Sequence, residues 1–531
     1  MNRIKKIVSI LLVGCFLVSL TGCALIDNIN EMLTEESVGV GIENNPTTEV
    51  SNSISVGIID FDTFNPLLTK SETVKESLEF VFEPLFDVNE RMQPVPVLAE
   101  SYTVSPDGRT ININLRDNVL WHDGTAFTAY DVAYTIKQIR SGITNYTDAL
   151  ANIADYMATG DHSLQIVLNY AVPNFVSLLT FPIVKFQSAM TMNENYIPNG
   201  TGPYRYETEL STTKISFIAF DHYRNGKASI NNVYVCTVPD LLKYESMFEA
   251  SEIDLMTGET VDLSEYTPRG SATNNEYVTN KMTFIGYNFR NKTLWGADTR
   301  KGLTELIDKD DIVNSAIYSR GVACDLPINP SSIYYYDTNT KFKRDETMAT
   351  NFLGNDGWGI NEDGKYTRVV DGKKQVLGFD ILTNADSHEK VTIANKIAED
   401  FNDYGIGATV IALPYEEYTA KINAKDYDIM IGEIEIGANL DLTPLVSSAD
   451  NYFSYRNTDL DMLAGQMGMT QDEEQLKMLF IQYGNTIMND MPFSALFFRK
   501  GDVLSSSKIK TEIVPTVGRL YRNTETWRVM Q

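Results

Sequence analysis

Histidine is the side chain most often used to move protons near neutral pH, and this chain of 531 residues contains four of them. His122 stands beside Asp123 in the stretch "WHDGTAFTAYDV", and catalytic sites use both residue types. The other three, His162, His222 and His388, are isolated in sequence. An isolated histidine is more often structural than catalytic. Whether His122 has a catalytic or a structural role therefore has to be judged from the residues around it.

Several catalytic signatures are absent from the sequence. It has neither a GxxxxGK[ST] phosphate loop nor a GxSxG nucleophile elbow. His388 and Glu389 begin like a zinc-binding HExxH motif, but position 392 is threonine, so no second imidazole follows one helical turn later. We therefore expect no cofactor and no metal ion. A surface hydrolase that uses only carboxylates stays an alternative, because glycosidases need nothing else.

The elements around His122 are ordinary architecture. Residues 101–115 alternate in polarity on both sides of an Asp-Gly pair at 107–108, which predicts a β-hairpin. Asp123-Gly124 is a second turn dipeptide, and Thr128 stands three residues before Asp131, as in a helix capping box. A turn that leads into a capped helix explains most polar residues of the stretch, so we expect His122→Ala to lower stability and to leave ligand affinity nearly unchanged.

The amino terminus predicts export and lipidation. Residues 1–22 combine a basic start with an apolar run from Ile7 to Leu20, which is typical of a signal peptide. The next residue is Cys23, and "LTGC" resembles the lipobox of bacterial lipoproteins, in which this cysteine carries the lipid. Residues 23–50 are polar and acidic, as expected for a flexible tether. We therefore expect the protein on the extracytoplasmic face of the bacterial cell membrane, at the surface of a Gram-positive cell, anchored by lipid at Cys23.

Charge and cysteine content exclude other classes. The formal net charge is −27, and removal of residues 1–22, which hold three basic and no acidic residues, would change it to −30. Such a surface repels phosphate backbones, so we expect no nucleic-acid partner. Cys236 and Cys324 would be the cysteines left beside Cys23, without any metal-binding spacing. The sequence leaves open whether these two are paired.

The carboxyl-terminal half predicts a parallel α/β unit. Strand-like runs at 376–384, 408–413 and 427–432 are separated by helical patterns ending at Gly405 and Asn423. Strands that alternate with helices favour a parallel sheet covered on both faces. Because ligands bind outside the carboxyl ends of such strands, the loops after 383 and 432 are candidate ligand loops.

Five segments of the chain carry a pattern that is longer than any single motif. They are 98–136 ("LAESYTVSPDGRTININLRDNVLWHDGTAFTAYDVAYTI"), 199–207 ("NGTGPYRYE"), 285–332, 451–463 and 491–500. In this order they resemble the extracellular solute-binding proteins of family 5, the peptide and nickel receptors of ABC importers, and 98–136 is similar to the hallmark segment of that family. The resemblance extends over about 50–525.

The resemblance implies an α/β, two-lobed periplasmic-binding-protein-like fold of class II type with an extra inserted α+β domain. Lobe 1 would be discontinuous, from residues 50–86, 196–284 and 496–531, with the inserted domain at 87–195 and lobe 2 at 285–495. The implied function is a non-enzymatic, monomeric receptor that encloses an oligopeptide by hinge closure and delivers it to an ABC permease in the membrane. Another small solute, such as a metal chelate or a signalling peptide, is the alternative ligand.

The expected ligand residues come from three places. Asp62, Phe64 and Asn65 follow the first strand, although an ordinary loop has the same composition. Tyr287 and Asn288 lie at the expected crossing between the lobes, and Asn384 follows a strand, where capping of the next helix is its other possible role. In peptide-binding members an aspartate receives the peptide amino group. Here Gly432 is followed by glutamate, so the candidate acids are Glu433, Glu435 and Asp441, and a solvated acidic loop is the alternative.

Overall fold

The structure is a computed structural model that describes residues 52–147, 150–211, 213–257, 271–338 and 342–530. Cys23, the signal peptide and the tether lie outside the described residues. The strands are β1 (Ser53–Ile59), β2 (Phe86–Val88), β3 (Pro94–Pro96), β4 (Ala99–Val104), β5 (Thr110–Leu115), β6 (Ile153–Gly160), β7 (Ser163–Leu168), β8 (Tyr204–Ser211), β9 (Lys214–Ala219), β10 (Asn232–Val238), β11 (Leu255–Thr257), β12 (Ala272–Tyr287), β13 (Gly321–Ala323), β14 (Gly359–Ile360), β15 (Tyr366–Val370), β16 (Lys373–Val376), β17 (Gly378–Asn384), β18 (Gly407–Leu413), β19 (Ile429–Glu435) and β20 (Phe493–Ser506).

The helices lie between these strands. They are α1 (Glu72–Leu78), α2 (Ala129–Gln138), α3 (Leu241–Glu249), α4 (Ala297–Glu305), α5 (Lys309–Asp311), α6 (Glu346–Asn355), α7 (His388–Asp403), α8 (Tyr415–Ala424), α9 (Thr443–Val446), α10 (Thr458–Met469) and α11 (Glu473–Asp490). In the described part of the chain, no helix is both long and apolar enough to cross a bilayer.

One continuous mixed sheet runs through two lobes. Its strand order is β18-β17-β19-β12-β20-β11-β1-β10-β9-β8, with β13 added to β20. The strands on the β18 side belong to lobe 2 and those on the β8 side to lobe 1, while β12 and β20 extend into both. Each lobe has its own buried apolar cluster. The residue boundaries between the domains stay a prediction.

The inserted domain is built on a separate four-stranded antiparallel sheet of order β4-β5-β7-β6, on which α2 packs. The predicted hairpin is confirmed, because β4 and β5 are antiparallel and Gly108 in their turn has a φ of 70°. The predicted helix start is confirmed too, because the Asp131 carboxylate accepts a hydrogen bond from the Thr128 backbone N–H at 2.7 Å. Most buried apolar side chains of this domain share one cluster with those of lobe 1, so the two are held together by packing, while Val88 and Met92 belong to the cluster of lobe 2.

The predicted parallel unit is confirmed in lobe 2. Strand β17 pairs in parallel with both β18 and β19, and α7 and α8 connect these strands. The unit is not a complete sheet by itself, because β19 also pairs antiparallel with β12. That antiparallel pairing joins the unit to the strands that pass between the lobes, and the sequence of 376–432 gives no sign of it.

A buried acid in lobe 2 supplies a test of stability against pH. Glu305 at the end of α4 is 3% exposed, and its Oε2 has no hydrogen-bond partner among the described residues. Burial, with the nearby charges of Asp345 and Asp325, raises the pKa of Glu305 to about 7. In the unfolded chain this group would ionise near its ordinary pKa. The amount by which Glu305 lowers the free energy of unfolding therefore grows as the pH rises from about 4.5 to 7 and then stays constant.

We expect Glu305→Gln to stabilise the protein at pH 8 by about 1–3 kcal/mol, because the amide has no charge to desolvate. At pH 4 both folded and unfolded states of the natural chain carry a largely neutral carboxyl, so the variant should gain little there. Urea unfolding at the two pH values measures the difference. An equal effect at both pH values would contradict the assignment of the pH dependence to Glu305.

Candidate ligand cleft

Two long antiparallel strands carry the chain between the lobes. The carboxyl-terminal half of β12, from Lys281 to Tyr287, pairs with β19 of lobe 2. The opposite end of β20, from Val503 to Ser505, pairs with β11 of lobe 1. The pairing of β12 with β20 shifts register between Val278 and Met282, where a regular ladder is interrupted. A local irregularity in the connecting strands suits a hinge, since it reduces the hydrogen bonding that must be kept during bending.

A cavity of 430 Å³, here called the cleft cavity, lies at this connection. Helix α1 supplies Glu72, Lys75 and Glu76, and the connecting strand β12 supplies Tyr277 and Lys281. Lobe 2 contributes Glu435 at the end of β19, and the carboxyl-terminal segment 516–520 forms another wall. A solute in this cavity would therefore contact both lobes and one of the strands that connect them.

A second cavity of 690 Å³, here called the strand cavity, extends along the other part of β12. Residues 273–278 of β12 and residues 509–517 form its two long walls, and Ser331 of lobe 2 lines it as well. The two cavities are adjacent, because Tyr277, Thr516 and Val517 line both. Residues 273–278 of β12 pair with β20 along one edge of the strand. A ligand in the strand cavity would lie beside this extended segment, as peptides do in receptors that bind them along a strand.

The cleft cavity has charges of both signs. Four carboxylates line it, those of Glu72, Glu76, Glu79 and Glu435, and three cations, those of Lys75, Lys281 and Arg519. Lys281 and Glu435 stand directly opposite each other on β12 and β19. Glu72 pairs with Lys75 at 2.5 Å, and Glu76 accepts a hydrogen bond from Thr257 at 2.7 Å. The lining thus offers partners for both a positive and a negative group of a solute.

Glu79 fixes one wall of the cleft cavity. Its carboxylate accepts hydrogen bonds from the backbone N–H groups of Leu520 at 3.2 Å and Tyr521 at 2.7 Å, and so ties the end of α1 to the carboxyl-terminal segment. Burial raises the pKa of Glu79 to about 7, although the guanidinium of Arg519 acts in the opposite direction. A carboxyl group that titrates near neutral pH makes the charge of the cleft pH-dependent.

The residues predicted in lobe 1 have partners inside the fold. The carboxylate of Asp62 accepts hydrogen bonds from Thr69 Oγ1 at 2.6 Å and from the Lys70 backbone at 2.7 Å, which closes its own loop. Phe64 is 3% exposed within the apolar cluster of lobe 1. Asn65 is fully buried and donates a hydrogen bond to the carbonyl of Ala189 at 3.1 Å. These contacts favour structural roles, and none of the three residues lines the cleft cavity or the strand cavity.

Three residues predicted in lobe 2 are similarly engaged. Tyr287 is fully buried, and its hydroxyl is 2.9 Å from that of Thr304. Asn288 is 2% exposed and donates hydrogen bonds to the carbonyls of Lys425 and Tyr427. Asn384 accepts a hydrogen bond from the backbone of Asp386 at 3.0 Å, in the turn before α7. Their role as ligand contacts stays a prediction, which their burial and partners do not favour.

The three candidate acids have different surroundings. Glu433 accepts a hydrogen bond from Arg499 Nε at 2.5 Å and lies 3.5 Å from the ammonium of Lys390. Burial opposes its ionisation, but the charges of Arg499 and Lys390 outweigh burial and lower its pKa. Asp441 accepts a hydrogen bond from the backbone of Thr443 at 2.9 Å. Of the three, Glu435 is the one that lines the cleft cavity.

Most residues that line the cleft cavity are not among those predicted from the sequence. Glu76 and Lys75 lie on α1, whose length of seven residues leaves a weak periodic signal. Lys281 and Tyr277 lie on β12, where only the register with β19 and β20 shows what they face. The alternation of polar and apolar residues around Lys281 was a usable sign of a strand with one polar face.

His122 is a structural residue. Its Nδ1 accepts a hydrogen bond from the backbone N–H of Gly200 at 3.2 Å, so Nε2 carries the proton and donates to the carbonyl of Gly202 at 2.9 Å. Asp123 accepts hydrogen bonds from Asn199 at 2.8 Å and Lys185 at 2.5 Å. The His-Asp pair thus joins the inserted domain to residues 199–202. It lines neither the cleft cavity nor the strand cavity.

We expect His122→Ala to lower the free energy of unfolding by about 2–3 kcal/mol at pH 7, because two buried backbone groups lose their partner. Burial lowers the pKa of His122 to about 4. The stability that the neutral ring gives is complete above the unfolded pKa of about 6.5 and is lost as the pH falls toward 4. His122→Ala should therefore lower the free energy of unfolding by less at pH 5 than at pH 7. Chemical unfolding measures stability, and a selective loss of ligand affinity in a folded variant would contradict a structural role.

A cavity that is lined by two lobes and by a strand that links them is the arrangement expected of a bilobal binding protein. The chain belongs to the family described as "Bacterial extracellular solute-binding proteins, family 5 Middle", whose model matches residues 93–459. This match confirms the family resemblance of the sequence and the two-lobed α/β fold with its inserted domain. Members of this family are extracytoplasmic and work with an ABC permease.

Relatives in the family are named for different solutes. The chain is 23% identical over 463 residues to the oligopeptide-binding protein AppA of Bacillus subtilis, which covers 82% of this chain and 84% of AppA. It is 26% identical over 443 residues to the nickel-binding periplasmic protein of Escherichia coli, covering 78% and 83% of the two chains. The solved structure of B. subtilis AppA in complex with a nonapeptide matches with a TM-score of 0.62 at 21% identity, over 90% of this chain and 99% of that one. These names give no support to the carboxylate-dependent hydrolase considered from the sequence.

Proposed function

We propose that this protein is a monomeric, lipid-anchored receptor on the extracytoplasmic face of the cell membrane that captures oligopeptides and delivers them to an ABC import permease. The peptide would lie in the cleft cavity and continue into the adjacent strand cavity. The observation that carries the proposal is that lobe 1, lobe 2 and β12 all line one cavity with charges of both signs. A solute that contacts both lobes favours the closed arrangement by its differential affinity for it.

The chemistry of the lining favours a peptide over a metal chelate. A peptide carries an ammonium at one end, a carboxylate at the other and backbone groups between them. The cleft cavity supplies carboxylates and cations, and β12 residues 273–278 run along the strand cavity beside them. No histidine lines either cavity, and within the described ranges no group of three His, Cys, Asp or Glu side chains could hold a metal ion. A metal chelate or another small solute remains the alternative.

Binding and chemistry are tested together. A library of peptides of two to eight residues would be screened by thermal shift and the positive peptides measured by titration calorimetry. A peptide present at a hundred times its Kd should stabilise the protein by about 2.7 kcal/mol. Recovery of intact peptide after incubation supports a receptor, while a reproducible cleavage product would overturn the non-enzymatic part of the proposal. No stabilisation by any peptide would overturn the peptide part.

The anchor is tested on Cys23. Mass spectrometry of the mature protein from native membranes should find an amino-terminal cysteine that carries diacylglycerol. Cys23→Ala should release the protein from the membrane or leave it unprocessed. An unmodified cysteine in the membrane fraction would overturn the lipid anchor and leave the peptide proposal untouched.

A further inference from the structure

The inserted domain contacts lobe 2 at a place distant in sequence from β12 and β20. Gly108, in the turn between β4 and β5, lies against the backbone of Gly468 near the end of α10. Ala171, in the loop after β7, also contacts Gly468, and a Cβ placed on Gly468 would be 2.5 Å from the carbonyl oxygen of Ala171. Side chains larger than hydrogen do not fit at this approach. The two backbones therefore approach more closely than they could if residues 108 and 468 carried side chains.

Polar contacts surround this approach. Gln93 Nε2 donates a hydrogen bond to Glu473 Oε2 at 3.0 Å, and Asn174 Nδ2 donates to the hydroxyl of Tyr334 at 3.2 Å. The backbone N–H of Ile333 donates to the carbonyl of Arg91 at 3.0 Å. A cavity of 290 Å³ lies between the two surfaces. Apart from Val88 and Met92, which are buried in the apolar cluster of lobe 2, the contact is thus polar and incompletely packed, as expected for surfaces that separate and return.

The inserted domain is attached more firmly to lobe 1. Most of its buried apolar side chains belong to the same cluster as those of lobe 1, whereas Val88 and Met92 belong to the cluster of lobe 2. At the junction, His122 is bonded to Gly200 and Gly202, and Asn65 to Ala189. Motion about β12 and β20 would therefore carry the inserted domain with lobe 1, and the contact with lobe 2 would have to break when the lobes open.

We propose that the inserted domain is the closing stop of the receptor: the contact of Gly108 and Ala171 with Gly468 sets how near lobe 2 approaches and stabilises the closed arrangement. This inference rests on the proposed hinge closure but not on the identity of the solute. It gives the glycines at 108 and 468 a positioning role, away from both cavities that would hold the solute.

A matched pair of variants on α10 tests the proposal. Gly468→Leu places a side chain into the contact, while at Gly465, on the same helix, an added Cβ would have nothing within 4 Å. Both changes replace glycine by a good helix former, so their effects on helix propensity are alike. Without solute, X-ray scattering should give a larger radius of gyration for Gly468→Leu than for Gly465→Leu. Amide exchange should be faster in the surfaces around 93–108 and 466–476 of Gly468→Leu.

The affinity of each variant is then measured by calorimetry with an equimolar mixture of tri-, tetra- and penta-alanine. If Gly468→Leu lowers the fraction of closed molecules to about a tenth, its apparent Kd rises about tenfold. Gly465→Leu should bind the peptides as the natural chain does. Unchanged scattering and exchange in a folded Gly468→Leu would overturn the closing stop. Expansion of Gly468→Leu in a protein that binds no peptide would instead overturn the peptide proposal and support the stop.

Discussion

Replacing Arg224 by methionine is expected to lower the free energy of unfolding by about 3–5 kcal/mol, because it leaves a buried carboxylate without its cation. Glu83 is 1% exposed and accepts hydrogen bonds from Arg224 Nη1 at 2.5 Å, Tyr223 at 2.9 Å and Thr201 at 3.1 Å. This cluster joins the chain just before the inserted domain to the segments that follow it. Urea unfolding at pH 7 measures the loss.

Two controls separate the buried pair from charge in general. The double variant Glu83→Gln with Arg224→Met removes both charges and should recover much of the lost stability, since no uncompensated charge remains buried. Lys421→Met breaks an exposed pair with Asp426 and should cost less than about 1 kcal/mol. A loss for Arg224→Met as small as that for Lys421→Met would contradict a buried ion pair between Glu83 and Arg224.

The features predicted well from sequence depend on neighbours along the chain. The hairpin around Gly108 and the helix start at Thr128 were recognisable because turn dipeptides, caps and periodicity act over a few residues. The interpretation of His122 as structural had the same basis. Its hydrogen-bond partners at 200 and 202 could not be read from this stretch, although the segment that contains them was recognised separately as a family motif.

The residues of the candidate site were harder to predict, because the role of each one depends on partners far away in sequence. Glu433 and Glu435 are two positions apart on the same strand and look equivalent in sequence. Arg499, which is 66 positions away, neutralises Glu433 within lobe 2, while Glu435 lies past it in the cleft cavity. Tyr287 was predicted to lie near the crossing of the lobes, and its side chain is fully buried. Which face of a long strand meets the cleft depends on register, and register is a property of the whole sheet.

Among the candidate acids, replacement of Glu435 is expected to have the largest effect on peptide affinity. Glu435→Gln should weaken the tightest peptide of the two- to eight-residue library by about 1–2 kcal/mol, or about 5- to 30-fold in Kd, if Glu435 receives the peptide ammonium. Glutamine keeps the size and a hydrogen-bond acceptor but removes the charge. The same peptide with an acetylated amino terminus should bind the natural chain weakly and should lose little further affinity in the variant, because the ammonium is already absent. Calorimetry on the four combinations yields the coupling energy between Glu435 and the amino group.

The other two acids serve as controls on the same loop and strand. Glu433→Gln leaves Arg499 with one carboxylate partner, that of Glu389, so it should lower the stability of lobe 2 more than it lowers peptide affinity. Asp441→Asn removes a carboxylate whose recorded partner is a local backbone N–H, so both effects should be small. If Glu435→Gln weakens the free and the acetylated peptide equally, the coupling is zero and Glu435 does not receive the amino group. The carboxylates of α1 at Glu72 and Glu76, which line the same cavity, would then be the next to exchange.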